Sequence, residues 1–394
     1  MEAENMPGIF ILGIESSCDE TAAAVVRSGE QVISNVVLSQ FATHRPFGGV
    51  VPELASREHL KAIVPVVKAA LEQAGQSYRS IDALAVTRGP GLAGALLVGI
   101  SYAKALAFAL DKPLIAVNHL EGHIHAVLLE ERQKGNHHIE FPVLALVVSG
   151  GHTHLYLAEC HDSHWSYRNI GHTRDDAAGE AYDKVAKLIG LGYPGGPVMD
   201  RLAPHGDPRA VRFTLPQIKN PDRRTSASNP DGRTSAREQS GPSFDFSYSG
   251  IKTAVLRYVQ VHEMQPAIDQ RRRTLSAIAK PALEDYLAVC DRQTLDLVAS
   301  FQHAMVEDLI GKTLAAAAEY QVSTLLVTGG VAANSELRRR FEEEAGRTAT
   351  TVYFPSRPLS TDNAAMIATA AYPKFLAGEF AGAELNAEAS LALR

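Results

Sequence analysis

Two histidines spaced four residues apart, in His119-Leu-Glu-Gly-His123, form the sequence's strongest chemical motif. On a helix, residues i and i+4 lie one turn apart on one face, so both imidazoles can reach a single metal ion. Zinc proteases of the H-E-x-x-H type place their general base directly after the first histidine, where this chain has Leu120. Glu121 is expected on another face. The spacing favours a metal pair that lacks the protease base; the alternative is two histidines hydrogen-bonded at a helix start.

A carboxylate late in the chain offers a third metal ligand. Asp362 lies in Ser360-Thr-Asp-Asn, directly before an apolar helical stretch. The same position is typical of a helix N-cap, so Ser360, Thr361 or Asp362 could act as a cap, and a cap can also face a cleft. Two histidines and one aspartate leave positions open for water or substrate, which is typical of a catalytic ion.

Several turns are suited to binding a phosphate or a nucleotide. Residues 148–153 (Val-Ser-Gly-Gly-His-Thr) lie between two predicted strands, where successive N–H groups can surround an anion, although hairpin tightness alone explains the glycines equally well. Residues 16–21 occupy the equivalent turn of the first half, and their acids Asp19 and Glu20 could orient a cation or a water. Residues 328–334 end a strand and begin a helix, which suits a ribose or phosphate. None of these turns has the Gly-Lys-[Ser/Thr] of a Walker loop.

Residues 175–184 contain four acids in nine positions, from Asp175 to Asp183. That density is too high for a packed helix unless one face looks into a polar cleft. The following Tyr-Pro-Gly-Gly-Pro, residues 193–197, predicts a rigid turn beside it.

The elements that carry these residues repeat along the chain. Residues 9–26 and 141–158 share one pattern, an apolar run, a small turn and a second apolar run, which predicts a hairpin. Each hairpin is followed by a strand that ends in Val-Thr-x-Gly and begins a helix, at residues 84–89 and 325–330. Apolar residues at helical spacing predict further helices over 54–73 and 295–320. Two α/β units side by side would leave a cleft lined by the turns.

Two segments are basic. Residues 216–242 are rich in Pro, Ser, Asn, Asp and Gly and predict an exposed loop whose arginines, Arg223 and Arg224 among them, could contact RNA phosphates. Arg271, Arg272 and Arg273 form a second short run. For both segments, a solvated surface is the alternative.

Composition limits the class of protein. The 394 residues are 45% apolar and 21% charged with a net charge of −6, so a nucleic-acid partner requires a local basic surface and a histone-like binder is excluded. Three widely spaced cysteines and an acidic N-terminus without a signal pattern predict a cytoplasmic protein. The most apolar stretch, residues 90–110, is interrupted by Lys104 and is predicted to be a buried helix, so no membrane partner is expected.

In this order, the motifs GIESSCDET, GGVVPELASREH, GPGLAGALLVG, NHLEGHIHA, LVVSGGHTHL, DDAAGEAYDKVAKLIGLGYPGGP, FDFSYSGIKT, VTGGVAANSELR and STDNAAMIA resemble those of the universal tRNA threonylcarbamoyladenosine transferase family, TsaD in bacteria, whose archaeal and eukaryotic members belong to the KEOPS complex. The likeness runs from about residue 9 to residue 372. Only the segment around residues 219–241 is longer than expected.

The resemblance implies an α/β fold, the duplicated actin-like, sugar-kinase and heat-shock ATPase fold, with two lobes and a central cleft. Residues 9–140 would form the N-terminal lobe and 141–360 the C-terminal lobe, with the 216–242 loop inserted; the helix at 361–377 is expected to pack back on the first lobe. Its reaction is transfer of a threonylcarbamoyl group from threonylcarbamoyl-adenylate to the exocyclic amine of the adenosine 3′ of the anticodon, in tRNAs that read codons beginning with A.

The resemblance also implies the site. One divalent ion, iron or zinc, would be held by His119, His123 and Asp362, and no general base is assigned. The residues matched to substrate contacts are Val147, Val148, Ser149, Gly150, Gly151, Asp183, Gly196, Asp200, Asn334, Asp19 and Glu20. A shorter paralogue of the same fold and a small ATPase are expected partners beside tRNA and the adenylate. The rival functions are a metallo-endopeptidase and an ATP-hydrolysing switch of the same fold.

Overall fold

Two five-stranded sheets form the framework of the computed structural model, which describes residues 8–161, 164–216 and 243–394. The first sheet contains strands Phe10–Glu15 (β1), Glu20–Arg27 (β2), Gln31–Ser39 (β3), Ala83–Gly89 (β4) and Leu114–Asn118 (β5). The second contains Val143–Val148 (β6), Thr153–His161 (β7), His164–His172 (β8), Thr324–Thr328 (β9) and Thr351–Tyr353 (β10).

The two sheets share one topology. Their strand orders are β3-β2-β1-β4-β5 and β10-β9-β6-β7-β8. In each, the first three strands are antiparallel neighbours, and the fourth and fifth join the first strand's other edge in parallel. This strand-for-strand correspondence is the duplication that the repeated sequence pattern predicts, and the predicted two-lobed α/β fold is confirmed.

Thirteen helices of the described chain connect and cover the sheets. They are Phe41–His44 (α1), Pro52–Gln73 (α2), Ala93–Leu110 (α3), His119–Gln133 (α4), Ala178–Leu188 (α5), Gly195–Leu202 (α6), Ser249–Val261 (α7), Gln265–Ser276 (α8), Leu283–Val289 (α9), Arg292–Tyr320 (α10), Ser335–Ala345 (α11), Arg357–Ser360 (α12) and Ala364–Leu376 (α13). Short 3-10 turns occur at Arg45–Phe47, Ala203–His205 and Gly330–Ala333. Helices α2 and α10 match the two helical stretches predicted from apolar spacing.

Helix α4 lies between the two lobes. Its Ala126 and Leu129 pack in one apolar cluster with the first sheet and α13, whereas Leu120, Ile124 and Val127 pack in another with the second sheet. Twelve of its fifteen residues are buried. A helix covered on several sides needs no single apolar stripe, which explains why its sequence lacks a clean amphipathic pattern.

Helix α3, predicted to be a buried helix, is buried on one face only. Ala95, Leu96 and Ile100 pack into the first lobe, but Phe108 is 91% exposed and Leu97 is also exposed. This helix meets the length and hydropathy of a membrane span. Its inner face nevertheless packs on β4 and α2, as a helix covering a sheet does.

The two predicted basic segments have different outcomes. Arg223 and Arg224 lie outside the described residues, as does nearly all of the 216–242 loop. In the second run Arg271 is fully buried, which contradicts an exposed surface there. Its guanidinium donates to the carbonyls of Ile189 and Val289 and to the Thr294 hydroxyl. The exposed members of this run are Arg272 and Arg273.

Candidate active site

The two histidines and the late aspartate meet at one point. His119 is the first residue of α4, His123 follows one turn later, and Asp362 lies just before α13, which packs against α4. Asp362 Oδ1 is 3.5 Å from His119 Nε2 and 3.2 Å from His123 Nε2. One ligand atom from each residue lies within 4.8 Å of the others. Residues separated by more than 230 positions are thus brought into one cluster.

This cluster fits a bound metal ion. Both histidines are buried, and neither ring nitrogen of His123 has a hydrogen-bond partner among the residues that the structure describes. An unsatisfied buried nitrogen is unfavourable unless another group binds it. Four ligands at roughly 2.1 Å in a tetrahedron lie about 3.4 Å apart, close to the two observed separations. Two imidazoles and one carboxylate suit iron or zinc about equally.

A second layer of residues orients His119. Its Nδ1 lies 3.2 Å from Glu15 Oε2 and 3.2 Å from Ser17 Oγ, and the same carboxylate oxygen accepts a 2.6 Å hydrogen bond from Thr87. An N–H at Nδ1 directed at a carboxylate leaves Nε2 free to bind a metal. Burial alone would lower the pKa of His119, but the carboxylates of Asp362 and Glu15 raise it to about 9.

The N-cap of α13 differs from the sequence expectation, and the position of Glu121 agrees with it. The N-cap of α13 is Asn363, whose side chain accepts from Met366 N, so none of the three predicted caps serves and Asp362 can face the histidines. Glu121 points away from them, as expected, and forms a buried ion pair with Lys374 at 3.2 Å. Glu121 is therefore not placed as a protease base.

The turn after β6 lies beside this cluster. The ring of His152 is 6.0 Å from that of His119. Ser149 N donates to His152 O at 2.7 Å, so of the successive N–H groups expected to surround an anion, that of Ser149 is already used and those of Gly150 and Gly151 are the candidates. Both glycines have open space where a side chain would stand, so a ligand can approach the backbone there. Val147 and Val148, in contrast, are buried in β6.

The acidic turn of the first lobe faces the same cleft. Burial, followed by the carboxylates of Asp19 and Asp362, raises the pKa of Glu20 well above its usual range. Across the cleft, burial raises the pKa of Asp183 to about 6, and Asp19 contributes in the same direction. Asp19 is therefore close enough for its charge to act on both Glu20 and Asp183.

The dense acids of residues 175–184 have mostly structural partners. Asp175 accepts hydrogen bonds from Ser247, Tyr248 and Ser249 at the start of α7, and Asp176 pairs with Lys184 at 2.7 Å. Asp183 accepts from Gly195 N at 2.6 Å and so fixes the turn that carries Gly196. The prediction that one face looks into the cleft applies to Asp183 alone among these three acids.

Asp200 and Asn334 belong to one network. Asp200 accepts from Ser335 N and Oγ, at 3.1 and 2.8 Å, and Asn334 caps α11 by accepting from Leu337 N. Gln302 joins them, since it accepts from Asn334 Nδ2 at 2.9 Å and its own amide lies 3.4 Å from Asp200. Gly329, which follows β9 and precedes this network in the sequence, lies very close to the end of β6. A side chain at Gly329 would lie 2.4 Å from the Val148 carbonyl.

Sequence reasoning missed four groups of this site, Glu15, Ser17, His152 and Gln302. Gln302 carried a signal, because a polar residue inside the apolar face of a long helix needs a buried partner. Glu15, at the end of a buried strand, carried a similar one. Ser17 and His152 stand among other polar turn residues, and nothing local distinguishes them.

Comparisons of the sequence with known proteins return one family description. Residues 31–369 match the family model described as tRNA N6-adenosine threonylcarbamoyltransferase. A protein of that name from Koribacter versatilis is 71% identical over 99% of this chain and all of its own length. One from Syntrophobacter fumaroxidans is 50% identical over 92% of this chain and 94% of its own.

Among solved structures, full-length HypF in its phosphate- and nucleotide-bound form is similar in fold alone. It has a TM-score of 0.54 and 13% identity, and the match covers 93% of this chain and 46% of HypF. Because the family model spans most of the chain and both relatives match nearly end to end, the chain belongs to the tRNA N6-adenosine threonylcarbamoyltransferase family.

Proposed function

We propose that this tRNA-modifying transferase moves a threonylcarbamoyl group from threonylcarbamoyl-adenylate to the exocyclic amine of the adenosine 3′ of the anticodon, in tRNAs that read codons beginning with A. The observation that carries the chemistry is the convergence of His119, His123 and Asp362 beside the open Gly150–Gly151 backbone. Three residues that would hold an electrophilic metal ion and two backbone N–H groups that can bind an anion thus border one cleft.

The residues of the chain divide the work of this acyl transfer. An aromatic amine is a weak nucleophile, so the rate must come mainly from positioning it and from stabilising the charge that develops on the donor. His119, His123 and Asp362 would hold a divalent ion, iron or zinc. When bound, such an ion polarises a carbonyl or phosphoryl oxygen. Glu15 keeps His119 in the orientation that binding requires.

The donor would be held by the C-terminal lobe. The N–H groups of Gly150 and Gly151 are available to its phosphate or carboxylate. The Asp200–Gln302–Asn334 network fixes the start of α11 and places a carboxylate and two side-chain amides there, groups that can hydrogen-bond the hydroxyls of a ribose. Asp183 holds the Gly195–Gly196 turn in place. These contacts support the adenylate as donor.

Neither rival function has support in the structure. A metallo-endopeptidase needs a base beside its ion, and Glu121 is committed to Lys374. No contact in the described residues favours an ATP-hydrolysing switch over a transferase.

The test compares the three activities on one preparation. Purified chain, with its partners added, is incubated with threonylcarbamoyl-adenylate and unmodified tRNA, and separately with casein or with ATP alone. We expect threonylcarbamoyladenosine in the digested tRNA and little or no casein or ATP turnover. Casein cleavage or ATP hydrolysis without tRNA modification would refute the proposal.

The partner surface is proposed on the first lobe, together with cytoplasmic residence. Helices α2 and α3 lie side by side and expose apolar residues on their outer faces, Leu60 (65% exposed), Val64, Leu97 and Phe108. Ile63 and Val67 of α2 face inward, as predicted. A shorter paralogue of the same fold could pack on this exposed helix pair, and a small ATPase would join that complex.

A further inference from the structure

One segment crosses the mouth of the cleft from the first lobe to the second. We call residues 40–47 the strap. Gln40 N donates to Asp19 O at 2.9 Å, and the buried His44 accepts from Val51 N, so the strap begins firmly on the first lobe. At its other end Arg45 donates to the carbonyls of Ile278 and Ala279 in the second lobe.

The strap presents aromatic rings at the cleft mouth. Phe41 is 36% exposed and lies 6.1 Å from Tyr193, with the ring planes only 23° apart. Phe47 is 55% exposed. Burial, followed by the charges of Asp19 and Asp183, raises the pKa of Tyr193, so this side chain lies near the acids of the candidate site. The stacked rings of Phe41 and Tyr193 thus extend from the exposed surface of the strap to the acids of the candidate site.

Two cations, Arg45 and Lys187, have contacts with or within the strap. Lys187 donates to the Phe47 carbonyl at 3.2 Å, and Arg45 bonds only to carbonyls. Neither forms an ion pair within the described part of the chain. Arg201 lies over the ring of Tyr286, 5.8 Å from its centroid, and Arg45 is close enough to influence the same phenol. In a chain of net charge −6, Arg45, Lys187 and Arg201 supply local positive charge of the kind that an RNA ligand requires, next to the acids Asp19 and Asp183 of the cleft.

Aromatic faces interleaved with cations are the chemistry that binds unpaired nucleotides. Bases stack on exposed rings, and unneutralised cations attract the phosphates between them. We propose that Phe41, Phe47, Arg45 and Lys187 form a platform for the unpaired bases of the tRNA anticodon loop, which delivers the acceptor adenosine past Tyr193 to the donor. This inference rests on the proposed transfer to tRNA and adds the residues that recognise the loop.

The test measures RNA affinity apart from catalysis. The full-length chain with its partners is titrated with an unmodified anticodon stem–loop RNA and with a fully paired RNA of the same length. In Phe41→Leu with Phe47→Leu, apolar volume is retained but the ring faces are lost. We expect stem–loop binding to weaken about tenfold or more, with binding of the paired RNA and of the adenylate unchanged. Phe380→Leu, at a 51% exposed ring elsewhere, is the matched control.

Charge is tested separately. Arg45→Gln with Lys187→Gln keeps donors for the carbonyls but removes two charges. The slope of log affinity against log salt should then fall by about 0.7 for each cation that meets a phosphate of the loop.

The inference is overturned if the double leucine variant binds the stem–loop like wild type, if paired RNA loses affinity equally, or if a protein partner alone is released. Failure of the two proposals is distinguishable. If the wild-type chain binds the loop through these rings but modifies no tRNA, the proposed transfer is refuted and the platform proposal stands. If the leucine variant keeps full transfer activity and full loop affinity, the platform proposal is refuted and the transfer stands.

Discussion

At the scale of single residues, the site combines one polar cluster with one orienting carboxylate. Glu15 binds His119 on the side opposite Asp362, so the imidazole is held from both nitrogens. His123 also has Asp362 Oδ1 near its Nε2, at 3.2 Å, but among the described residues no second carboxylate orients it as Glu15 orients His119. The two histidines should therefore respond differently to loss of a neighbour, whereas both are needed for the ion.

Replacing either histidine by alanine should remove most bound metal and most transfer activity, because two remaining ligands hold an ion poorly. Metal content is measured by elemental analysis, and folding by thermal melting, which we expect to show an intact fold. His125→Gln is the matched control, since His125 lies on the same helix and bonds to Tyr167 at 3.0 Å instead. Full metal occupancy in both alanine variants would refute the shared site.

Asp183 makes stability depend on pH. Burial raises its pKa from 3.8 to about 6, so the folded state holds its proton more tightly than the unfolded state. The free energy of unfolding should thus fall as pH rises between these values. Between pH 5 and pH 7.5 wild type should lose about 1 kcal/mol relative to Asp183→Asn, which keeps an acceptor for Gly195 N. The free energy of unfolding is measured by denaturant titration in the absence of the threonylcarbamoyl-adenylate. If it depended on pH in the same way in the two proteins, the prediction would be contradicted.

At the scale of elements, features that depend on a local sequence pattern could be predicted, and features that depend on contacts between distant segments could not. The strands of both hairpins and helices α2 and α10 have local periodicity, and their existence followed from it. The metal cluster was predicted from residue types and from family resemblance, but its closeness depends on α13 packing against α4, a long-range contact that no local pattern carries. The buried state of Arg271 was missed for the same reason, since its acceptors come from distant segments.

Arg271 should act as a structural clamp. It joins α8 to the ends of α5 and α9 and to the start of α10 through three acceptors. Arg271→Leu leaves these acceptors unsatisfied and should lower the free energy of unfolding by about 2–4 kcal/mol. In Arg272→Leu, at an exposed neighbour, the change should stay within about 0.5 kcal/mol. Equal urea midpoints and slopes for the two variants would show that the buried contacts contribute little.

At the scale of the whole molecule, one lobe offers a surface for a partner and the two lobes together form the site. The exposed residues of α2 and α3 lie on the outer side of the first sheet, whereas α4 and α13 occupy its inner side. In the proposed complex, partner binding and catalysis would therefore use opposite faces of one sheet. Changes on the outer face should affect association without disturbing the metal cluster.

Lys61→Glu with Lys68→Glu should weaken association with the paralogue, mainly through the association rate. Both lysines are exposed on α2 near its apolar residues and form only intrahelical ion pairs, so a reversed charge acts at the interface rim. Melting temperature and metal content should be retained, and Lys252→Glu on α7 is the control. An unchanged dissociation constant at low salt would place the interface on another face.

The most direct test of metal-dependent transfer is the rate of tRNA modification before and after the ion is removed. The complete complex is stripped with a chelator, and threonylcarbamoyladenosine formed from the adenylate is measured by nucleoside mass spectrometry. We predict that the stripped enzyme forms almost none and that Fe²⁺ or Zn²⁺ restores the rate in wild type but not in His123→Ala. A stripped enzyme that modifies tRNA at the full rate, with no ion bound, would contradict the proposed role of His119, His123 and Asp362.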